Sequence, residues 1–350
     1  MPMISEHRRS RPTLALVAKE AGVSIGTASN ILSGKTELHT PETVEMVLSV
    51  ARRLGYRPNR IARSLVARQT HTIGVIMEPA HTVFTRNIYA TGVMDGLVDV
   101  LGAQGYHLKI ISLTEIDPRT LWAQIDDGTI DGAVLLVPLI GSPLLEWHQH
   151  TPLPCVVVGS VFPESMGFYC VDSDSQQGIR EVVEWLIQQG HREIGFLRGP
   201  EVQTSALQRE AAFRETLHAH GIPVREEWIL GNSYHREGGY EAMRALLQLP
   251  KRPTAVVCAN DLIALGAIEA CREQGVSVPH EISITGFDDI PIAGLVDPPL
   301  TTIRNPIHEI GYHAGEALLE QIRTGEPKRG VRLFSGELIV RASVRRLKTG

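Results

Sequence analysis

The stretch 14-LALVAKEAGVSIGTASNIL-32 reads as two short helices joined by a tight turn. Gly22 can supply the left-handed backbone that ends the first helix, and Ser24 is a good N-cap for the second. Ala28, Ile31 and Leu32 follow at the spacing that places them on one buried helical face. This pattern indicates a helix-turn-helix, the unit whose second helix enters the major groove of DNA.

The outer face of the second helix carries small side chains. Ile25, Gly26, Ser29 and Asn30 occupy it, with no Arg, Lys or Gln to reach a base edge. Asn30 is the best candidate for direct readout, because an asparagine amide can make two hydrogen bonds with adenine, and Ile25 can pack on a thymine methyl group. We therefore expect much of the affinity, and some specificity, to come from neighbouring arginines and from DNA deformability.

Charge is distributed unevenly along the chain. Residues 1–70 contain eleven basic and five acidic residues, a net charge of +6, whereas the remainder contains 23 basic and 34 acidic residues, a net charge of −11. The overall charge of −5 would by itself argue against nucleic acid. A basic head on an acidic body is expected when only the head contacts a polyanion, and a solvated basic face without a partner is the alternative.

The segment 39-HTPETVEMVLSVARRLGYRPN-59 predicts a third helix that closes a small core. Thr40 suits its N-cap, Pro41 its first turn and Gly55 its end. Its apolar stripe consists of Val44, Val47, Leu48, Ala51 and Leu54.

The next segment, 57-RPNRIARSLVARQT-70, can form a short helix capped by Asn59. Its apolar side chains are Ile61, Ala62 and Leu65, and arginines lie among them at positions 60, 63 and 68. So short a helix is unstable alone in water. An apolar face flanked by arginines suits insertion into the DNA minor groove, and a plain interdomain linker is the alternative.

From Thr72 onward, apolar runs of strand length alternate with helical segments. The strand candidates are 73–77, 108–113, 133–139, 155–161, 194–197, 255–259 and 282–287. The helix candidates are 90–105, 176–190, 205–221, 239–249 and 261–275. Continuous apolar strands between helices predict parallel sheets covered on both faces, and a break near 170-CVDSD-174 predicts two lobes. Because such lobes bind ligands at the carboxyl ends of their strands, a crevice between them is the expected site.

Two long motifs carry a family resemblance. LALVAKEAGVSxxTxSxxLxG, followed by RRLGYRPNRIARSL, closely resembles the DNA-binding head and hinge of the lactose-repressor family of bacterial transcription regulators. The resemblance covers roughly residues 13 to 345 and continues through 131-DGAVLL-136, 189-QGHREIGFLRGP-200, 239-GYEAM-243, 258-CANDLIALGAIEACREQGVSVPHEISITGFDDI-290 and 298-PPLTTIRNP-306. It implies a small all-α helix-turn-helix head and an α/β, two-lobed body of the periplasmic-binding-protein type.

The resemblance also implies domain boundaries. The helix-turn-helix domain would be residues 1–58, the hinge helix and linker 59–71, and the effector-binding and dimerisation domain 72–350. Three crossovers would join an N-lobe of about 72–170 and 301–330 to a C-lobe of about 171–300 and 331–345.

For the head, the resemblance implies that Ile25, Gly26 and Asn30 face bases, and that Thr27 and Ser29 contact phosphate or support base contacts. Leu65 matches the minor-groove wedge of the family, with Ala62 beside it. The full expected set of DNA contacts is Ser24, Ile25, Gly26, Thr27, Ser29, Asn30, Asn59, Arg60, Ala62, Arg63 and Leu65. Two positions depart from the family: Ala28 stands where valine is usual, and Asn30 where arginine is usual. Arginine favours guanine, whereas asparagine favours adenine.

For the body, the resemblance implies an effector site. Arg209, nine residues past Gly199-Pro200, matches an arginine that anchors ligand hydroxyls or carboxylates; a surface helix arginine is the alternative. Tyr234 matches an aromatic residue that stacks on the ligand ring, or is a core aromatic. Asn260 and Asp288 match polar ligand contacts at strand ends.

Residues near these positions leave alternatives open. Asp261 and Asp289, beside the last two contacts, are candidates for helix caps. The stretch 78-EPAHTVFTRNIYATG-92 is about two residues longer than the usual family pattern, so Phe84 and Arg86 are the candidates for the N-lobe wall of the effector site.

Other classes of function find little support. The four cysteines form no C-x-x-C pair, and we interpret them as reduced core residues. We find no catalytic motif, no metal site and no cofactor site. Neither a membrane span nor a secretory signal is indicated, which predicts a cytoplasmic protein.

Together these features predict a ligand-responsive repressor, not an enzyme, that binds a palindromic DNA operator as a homodimer. A sugar-like or nucleobase-like metabolite would bind in the crevice and change operator affinity. The alternatives are control of the same head by a protein co-regulator, or a solute-binding protein, which the basic head argues against. The C-terminal 341-RASVRRLKTG-350 has no heptad pattern, so we expect a dimer and not a coiled-coil tetramer.

Overall fold

Three helices build the described part of the head, and each begins at a threonine or serine N-cap. They are α1 (Leu14–Glu20), α2 (Ile25–Leu32) and α3 (Pro41–Leu54). The side-chain oxygens of Thr13, Ser24 and Thr40 accept hydrogen bonds from backbone N–H groups in the first turns. These bonds satisfy donors that have no partner within a helix. Gly55 ends α3 with a left-handed φ of 64°.

The head core lies where the three helices meet. Its buried residues are Val17, Ala18, Ala21, Ala28, Ile31, Val47, Val50 and Ala51. The predicted stripe of α3 is wrong at Leu48, whose side chain is 37% exposed. Val50 is buried instead, because the face that α3 turns toward α1 and α2 is centred on Val47, Val50 and Ala51.

The structure is a computed structural model that describes residues 12–57, 69–78, 87–113 and 117–347. Its internal contacts divide the chain into the head, residues 1–70, and the body, residues 71–350. The strands of the body are β1 (Thr72–Met77), β2 (His107–Ser112), β3 (Gly132–Leu136), β4 (Cys155–Val158), β5 (Tyr169–Ser173), β6 (Ile194–Leu197), β7 (Ile229–Leu230), β8 (Ala255–Cys258), β9 (Ser283–Thr285), β10 (Thr302–Arg304), β11 (Gly330–Phe334) and β12 (Glu337–Ile339). The helices of the body are α4 (Ile88–Ala103), α5 (Pro118–Ile125), α6 (Pro143–His150), α7 (Ser175–Gln188), α8 (Thr204–Ala219), α9 (Arg236–Leu247), α10 (Asp261–Glu273) and α11 (Ile307–Thr324).

Two parallel sheets organise the body into lobes. The N-lobe sheet has six strands in the order β11–β5–β4–β3–β1–β2. The C-lobe sheet has four strands in the order β7–β6–β8–β9. The central strands β3, β4, β6 and β8 are buried along their whole length, as expected for parallel sheets covered by helices. The predicted fold class, a helical head with a two-lobed α/β body, is confirmed.

Within the described residues of the body, the chain crosses between the lobes three times. The first crossing follows β5, which belongs entirely to the N-lobe sheet and ends at Ser173. The other two run through β10 and β12, which pair with each other as an antiparallel ribbon. Because β11 also belongs to the N-lobe sheet, that sheet extends beyond residues 170 and 330, where the family resemblance places the lobe boundaries.

Each of the two long helices of the N-lobe has a glycine where they cross. A Cβ atom on Gly96 of α4 would lie 2.1 Å from the carbonyl oxygen of His308 in α11, and one on Gly311 of α11 would lie 2.1 Å from that of Val93. The C-lobe repeats the arrangement, since a Cβ on Gly266 of α10 would lie 2.0 Å from the Arg236 carbonyl oxygen. Backbone approaches this close require glycine.

Candidate functional site

The residues predicted to read DNA lie at the start of α2. The exposed ones are Ser24, Ile25 and Gly26, and the half-buried ones are Thr27, Ser29 and Asn30. The Ser24 hydroxyl accepts a hydrogen bond from the Thr27 N–H at 3.0 Å and lies 2.9 Å from the Thr27 hydroxyl. Ser24 therefore fixes the beginning of the helix, while Ile25, 55% exposed, is presented to solvent.

Several predicted residues fall outside the part of the chain that the structure describes. They are the hinge residues Asn59, Arg60, Ala62, Arg63 and Leu65, and the pocket candidates Phe84 and Arg86.

A cavity of about 350 Å³ lies between the two lobes, and we call it the interlobe cavity. It contains all four of the predicted effector residues that the structure describes: Arg209, Tyr234, Asn260 and Asp288. The last three follow β7, β8 and β9, so the carboxyl ends of parallel strands bring them together as the fold predicts. Apolar side chains, among them Val202 and Leu262, complete the walls.

Arg209 on α8 is buried, with 5% of its surface exposed, so the alternative of a surface arginine is wrong. Its Nε donates to the Ser175 hydroxyl at 3.2 Å and its Nη1 to the Ala259 carbonyl oxygen at 2.5 Å. Its Nη2 lies 3.9 Å from a carboxylate oxygen of Asp288. The guanidinium also stacks on Phe287, 3.8 Å from the ring centroid. Packing and hydrogen bonds thus hold one orientation of the positive charge against the cavity.

Asn260 caps α10. Its side-chain oxygen accepts a hydrogen bond from the Ile263 N–H at 2.9 Å, and its amide donates to the Tyr234 carbonyl oxygen at 3.1 Å. Asp261, the other candidate cap, is fully buried and accepts from the Ile290 N–H and the Thr302 hydroxyl. Burial raises the pKa of Asp261 to about 8. The asparagine therefore has a structural role in addition to lining the cavity.

Asp288 and Asp289 both have positive φ, 118° and 54°. The Asp288 carboxylate accepts a hydrogen bond from the Asn305 amide at 3.1 Å; burial raises its pKa, and Arg209 opposes the rise. Asp289 caps no helix and instead accepts from Arg304 Nε at 2.9 Å and Arg341 Nη2 at 2.6 Å. Asp288 therefore lines the cavity, whereas the adjacent Asp289 binds the crossover segments.

Sequence reasoning missed the polar residues of the N-lobe wall. Asp172, near the end of β5, and Tyr89, in the first turn of α4, both line the cavity. The Tyr89 hydroxyl donates to Asp172 Oδ1 at 2.9 Å. The available signal was a carboxylate within 170-CVDSD-174, the predicted break between the lobes, because ligands of this kind of fold bind where the lobes meet.

No helix among the residues described is both long and apolar enough to span a membrane.

Comparisons with known proteins agree with this architecture. A model described as "Bacterial regulatory proteins, lacI family" matches residues 13–59, and one described as "Periplasmic binding protein-like domain" matches residues 183–344. The chain is 33% identical to the HTH-type transcriptional regulator CelR of Thermobifida fusca, over 96% of this chain and 99% of CelR. It is 31% identical to the HTH-type transcriptional repressor PurR of Vibrio parahaemolyticus, with the same coverage of both chains.

Solved structures show the same similarity over both units. A Lac repressor dimer bound to operator and the anti-inducer ONPF matches with a TM-score of 0.84 and 25% identity, over 96% of this chain and all of that one. A CelR–cellobiose complex matches with a TM-score of 0.73 and 27% identity, over 95% of this chain and all of that one. The helix-turn-helix head, the two parallel lobes and these full-length relatives lead to one conclusion: the chain belongs to the lacI family of bacterial regulatory proteins and is a ligand-responsive, DNA-binding transcriptional repressor, not an enzyme.

Proposed function

We propose that the protein binds a near-palindromic operator as a homodimer in the cytoplasm, and that a small metabolite in the interlobe cavity changes its operator affinity. The observation that carries this proposal is the cavity, whose walls come from both lobes and include a buried guanidinium. A ligand that contacts both lobes favours one arrangement of them over another. The Lac repressor dimer on its operator and the CelR complex with cellobiose support the same reading.

The three functions are assigned to three stretches of chain. Residues 1–58 would bind DNA, residues 59–71 would form the hinge and linker, and residues 72–350 would bind the effector and dimerise. The hinge helices of the two subunits would fold against each other on DNA and insert Leu65 into the central minor groove, kinking the duplex.

The cavity suits a sugar-like or nucleobase-like effector. Its volume of about 350 Å³ is at the small end of the usual range for ligand pockets, roughly 300–1,000 Å³. Tyr234, Val202 and Leu262 offer an aromatic and apolar surface on which a sugar face or a base can pack. Arg209, Asn260 and Asp288 would supply the hydrogen bonds that orient the ring.

The crossover segments offer a route from the effector to the lobes. Asp288 faces the cavity, and the next residue, Asp289, binds Arg304 in β10 and Arg341 beyond β12. A ligand that moves Asp288 would therefore move a carboxylate that ties both crossover segments. Couplings between effector and DNA are typically about 1–3 kcal/mol and act equally in both directions.

Replacing Asn30 with alanine should relax the base preference at one base pair of each half-site. A two-pronged asparagine–adenine contact contributes about 1–3 kcal/mol of discrimination, which quantitative selection from a DNA library can measure. Lys35→Ala is the matched control, because loss of an exposed positive charge should weaken binding to all sequences alike. An unchanged preference in Asn30→Ala would exclude direct readout by this residue.

Replacing Leu65 with alanine should weaken operator binding by about tenfold or more, because the kink requires an apolar wedge between base pairs. Binding to non-specific DNA, which depends on phosphate contacts, should change little. Fluorescence anisotropy with operator and scrambled duplexes gives both affinities. Equal losses on the two duplexes would contradict a wedge role.

The proposal as a whole is tested by selecting bound DNA from a random pool, with and without sugars and nucleobases. We expect an inverted-repeat site whose recovery depends on at least one compound, together with a ligand-dependent rise in melting temperature. A palindromic site that no small molecule affects would instead favour control by a protein co-regulator.

A further inference from the structure

Asp172 is the one carboxylate on the N-lobe wall of the interlobe cavity among the residues described. Its side chain is only 2% exposed. Its Oδ1 atom accepts two hydrogen bonds, from the Ser173 N–H at 2.8 Å and from the Tyr89 hydroxyl at 2.9 Å. Its Oδ2 atom is buried and has no hydrogen-bond partner among the residues described. A buried carboxylate oxygen without a hydrogen-bond donor is destabilising, so we expect a donor to bind this atom.

The orientation of Asp172 is fixed from the α4 side. The Tyr89 ring packs against Gly159, where an added Cβ atom would lie 2.8 Å from the ring. Because the Tyr89 hydroxyl already donates to Oδ1, rotating the carboxylate to exchange its two oxygens would gain nothing. Oδ2 therefore remains the oxygen without a donor.

The charges that the described residues bring to the cavity are unbalanced. Among these residues, the walls contain two carboxylates, Asp172 and Asp288, and one guanidinium, Arg209. Arg209 is already engaged by Ser175, the Ala259 carbonyl oxygen and Asp288. A negatively charged ligand would add a third anion to a poorly solvated site, whereas an uncharged ligand would add none.

We propose that Asp172 determines effector specificity: its Oδ2 atom accepts a hydrogen bond from an O–H or N–H group of an uncharged ligand, and the cavity discriminates against phosphorylated and carboxylated analogues. This assignment rests on the proposed function, since it requires that a small effector occupies the cavity. Tyr89 is a positioning residue that holds the carboxylate in place.

The protonation state of Asp172 provides a second test of this assignment, the pH dependence of ligand affinity. Burial raises the pKa of Asp172 to about 6, with Arg209 opposing and Asp288 reinforcing the rise, and Tyr89 and the Ser173 N–H lowering it through their hydrogen bonds. Because Oδ1 already accepts two hydrogen bonds, a proton on Asp172 would lie on Oδ2, and only the ionised carboxylate leaves Oδ2 free to accept a hydrogen bond from a ligand. A donating ligand therefore binds the ionised form, and its affinity falls as pH drops below about 6; between pH 7.5 and 5 we expect a loss of about tenfold.

The experiment compares Asp172→Asn with Asp174→Asn by isothermal calorimetry and thermal shift. Asp174 caps α7 through the Gln177 N–H and does not line the cavity, and asparagine caps a helix equally well. The uncharged probes are D-glucose, D-galactose, cellobiose, adenine and guanine, and the anionic probes are D-glucuronate and D-glucose 6-phosphate. Operator binding without ligand confirms that each variant is folded.

We expect the unmodified protein to bind an uncharged probe in preference to the anionic ones. In Asp172→Asn the amide N–H₂ replaces the accepting oxygen, so affinity for that probe should fall about 10- to 100-fold and lose its pH dependence between 5 and 7.5. Asp174→Asn should match the unmodified protein. Unchanged affinity in Asp172→Asn, or preferred binding of an anionic probe, would overturn the assignment of Asp172 while leaving the effector cavity intact. If the unmodified protein binds no probe, the proposed effector chemistry fails, and this inference fails with it.

Discussion

Arg209→Ala is expected to abolish the effector response of operator binding and to lower the free energy of unfolding by about 3–5 kcal/mol. The guanidinium is buried against Phe287 and holds Asp288, Ser175 and the Ala259 carbonyl oxygen. Its removal leaves the Asp288 carboxylate buried without its counter-ion, and also removes the donor that would anchor a ligand. Urea unfolding reports the stability, and operator anisotropy with and without ligand reports the response.

Two further variants separate these effects. Arg214→Ala, on the same helix, removes an arginine whose partners Glu210 and Glu226 are nearer solvent, and it should cost no more than about 1 kcal/mol. Adding Asp288→Asn to Arg209→Ala should recover part of the lost stability, because the uncompensated charge is removed, but should not restore the effector response. If Arg209→Ala were as mild as Arg214→Ala, the buried charge network would not have the role assigned to it.

Gly96→Ala is expected to lower the free energy of unfolding by about 3 kcal/mol, the upper part of the range for overpacked sites. The new methyl group would meet the backbone of α11, with the His308 carbonyl oxygen at 2.1 Å and the Tyr312 nitrogen at 2.6 Å. Backbone atoms cannot rotate away as a side chain can, so the two helices must separate. The midpoint of urea unfolding measures the loss.

Gly102→Ala in the same helix is the matched control. Nothing lies within 4 Å of a Cβ atom at Gly102, so alanine there should be neutral or stabilise the protein by up to about 1 kcal/mol through its higher helix propensity. A similar change at both glycines would show that the helix crossing tolerates more separation than its geometry indicates.

Local rules account for what the sequence predicts well in the fold. The N-caps Ser24 and Thr40 depend only on residues within one helical turn, and they can be recognised without knowing the tertiary structure. The exposure of Leu48 and the pairing of β11 with β5 depend on which distant elements pack together. No local pattern carries that information, so these features become clear only in the folded chain.

In the candidate site, too, some residues could be predicted from the sequence and others only from the folded chain. Asn260 and Asp288 follow apolar strands of one sheet, so parallel topology by itself predicts that they meet. Tyr89 and Asp172 form a hydrogen bond across 83 residues and between a helix and a strand, and no spacing indicates such a pair. Which of two adjacent polar residues caps α10 depends on backbone geometry, and the sequence alone could not choose Asn260 over Asp261.

The positive φ of 118° at Asp288 has an evolutionary consequence. Side chains other than glycine are disfavoured there by about 1–3 kcal/mol, so a chain selected only for stability, and free to replace Arg209 as well, would have glycine at this position. Aspartate keeps the carboxylate that faces Arg209 and the cavity, at the expense of a relaxed backbone. Position 288 is thus where selection for a robust fold and selection for recognition conflict. Laboratory evolution for thermal tolerance should accept glycine here only together with an uncharged residue in place of Arg209, and the protein should lose regulation as a result.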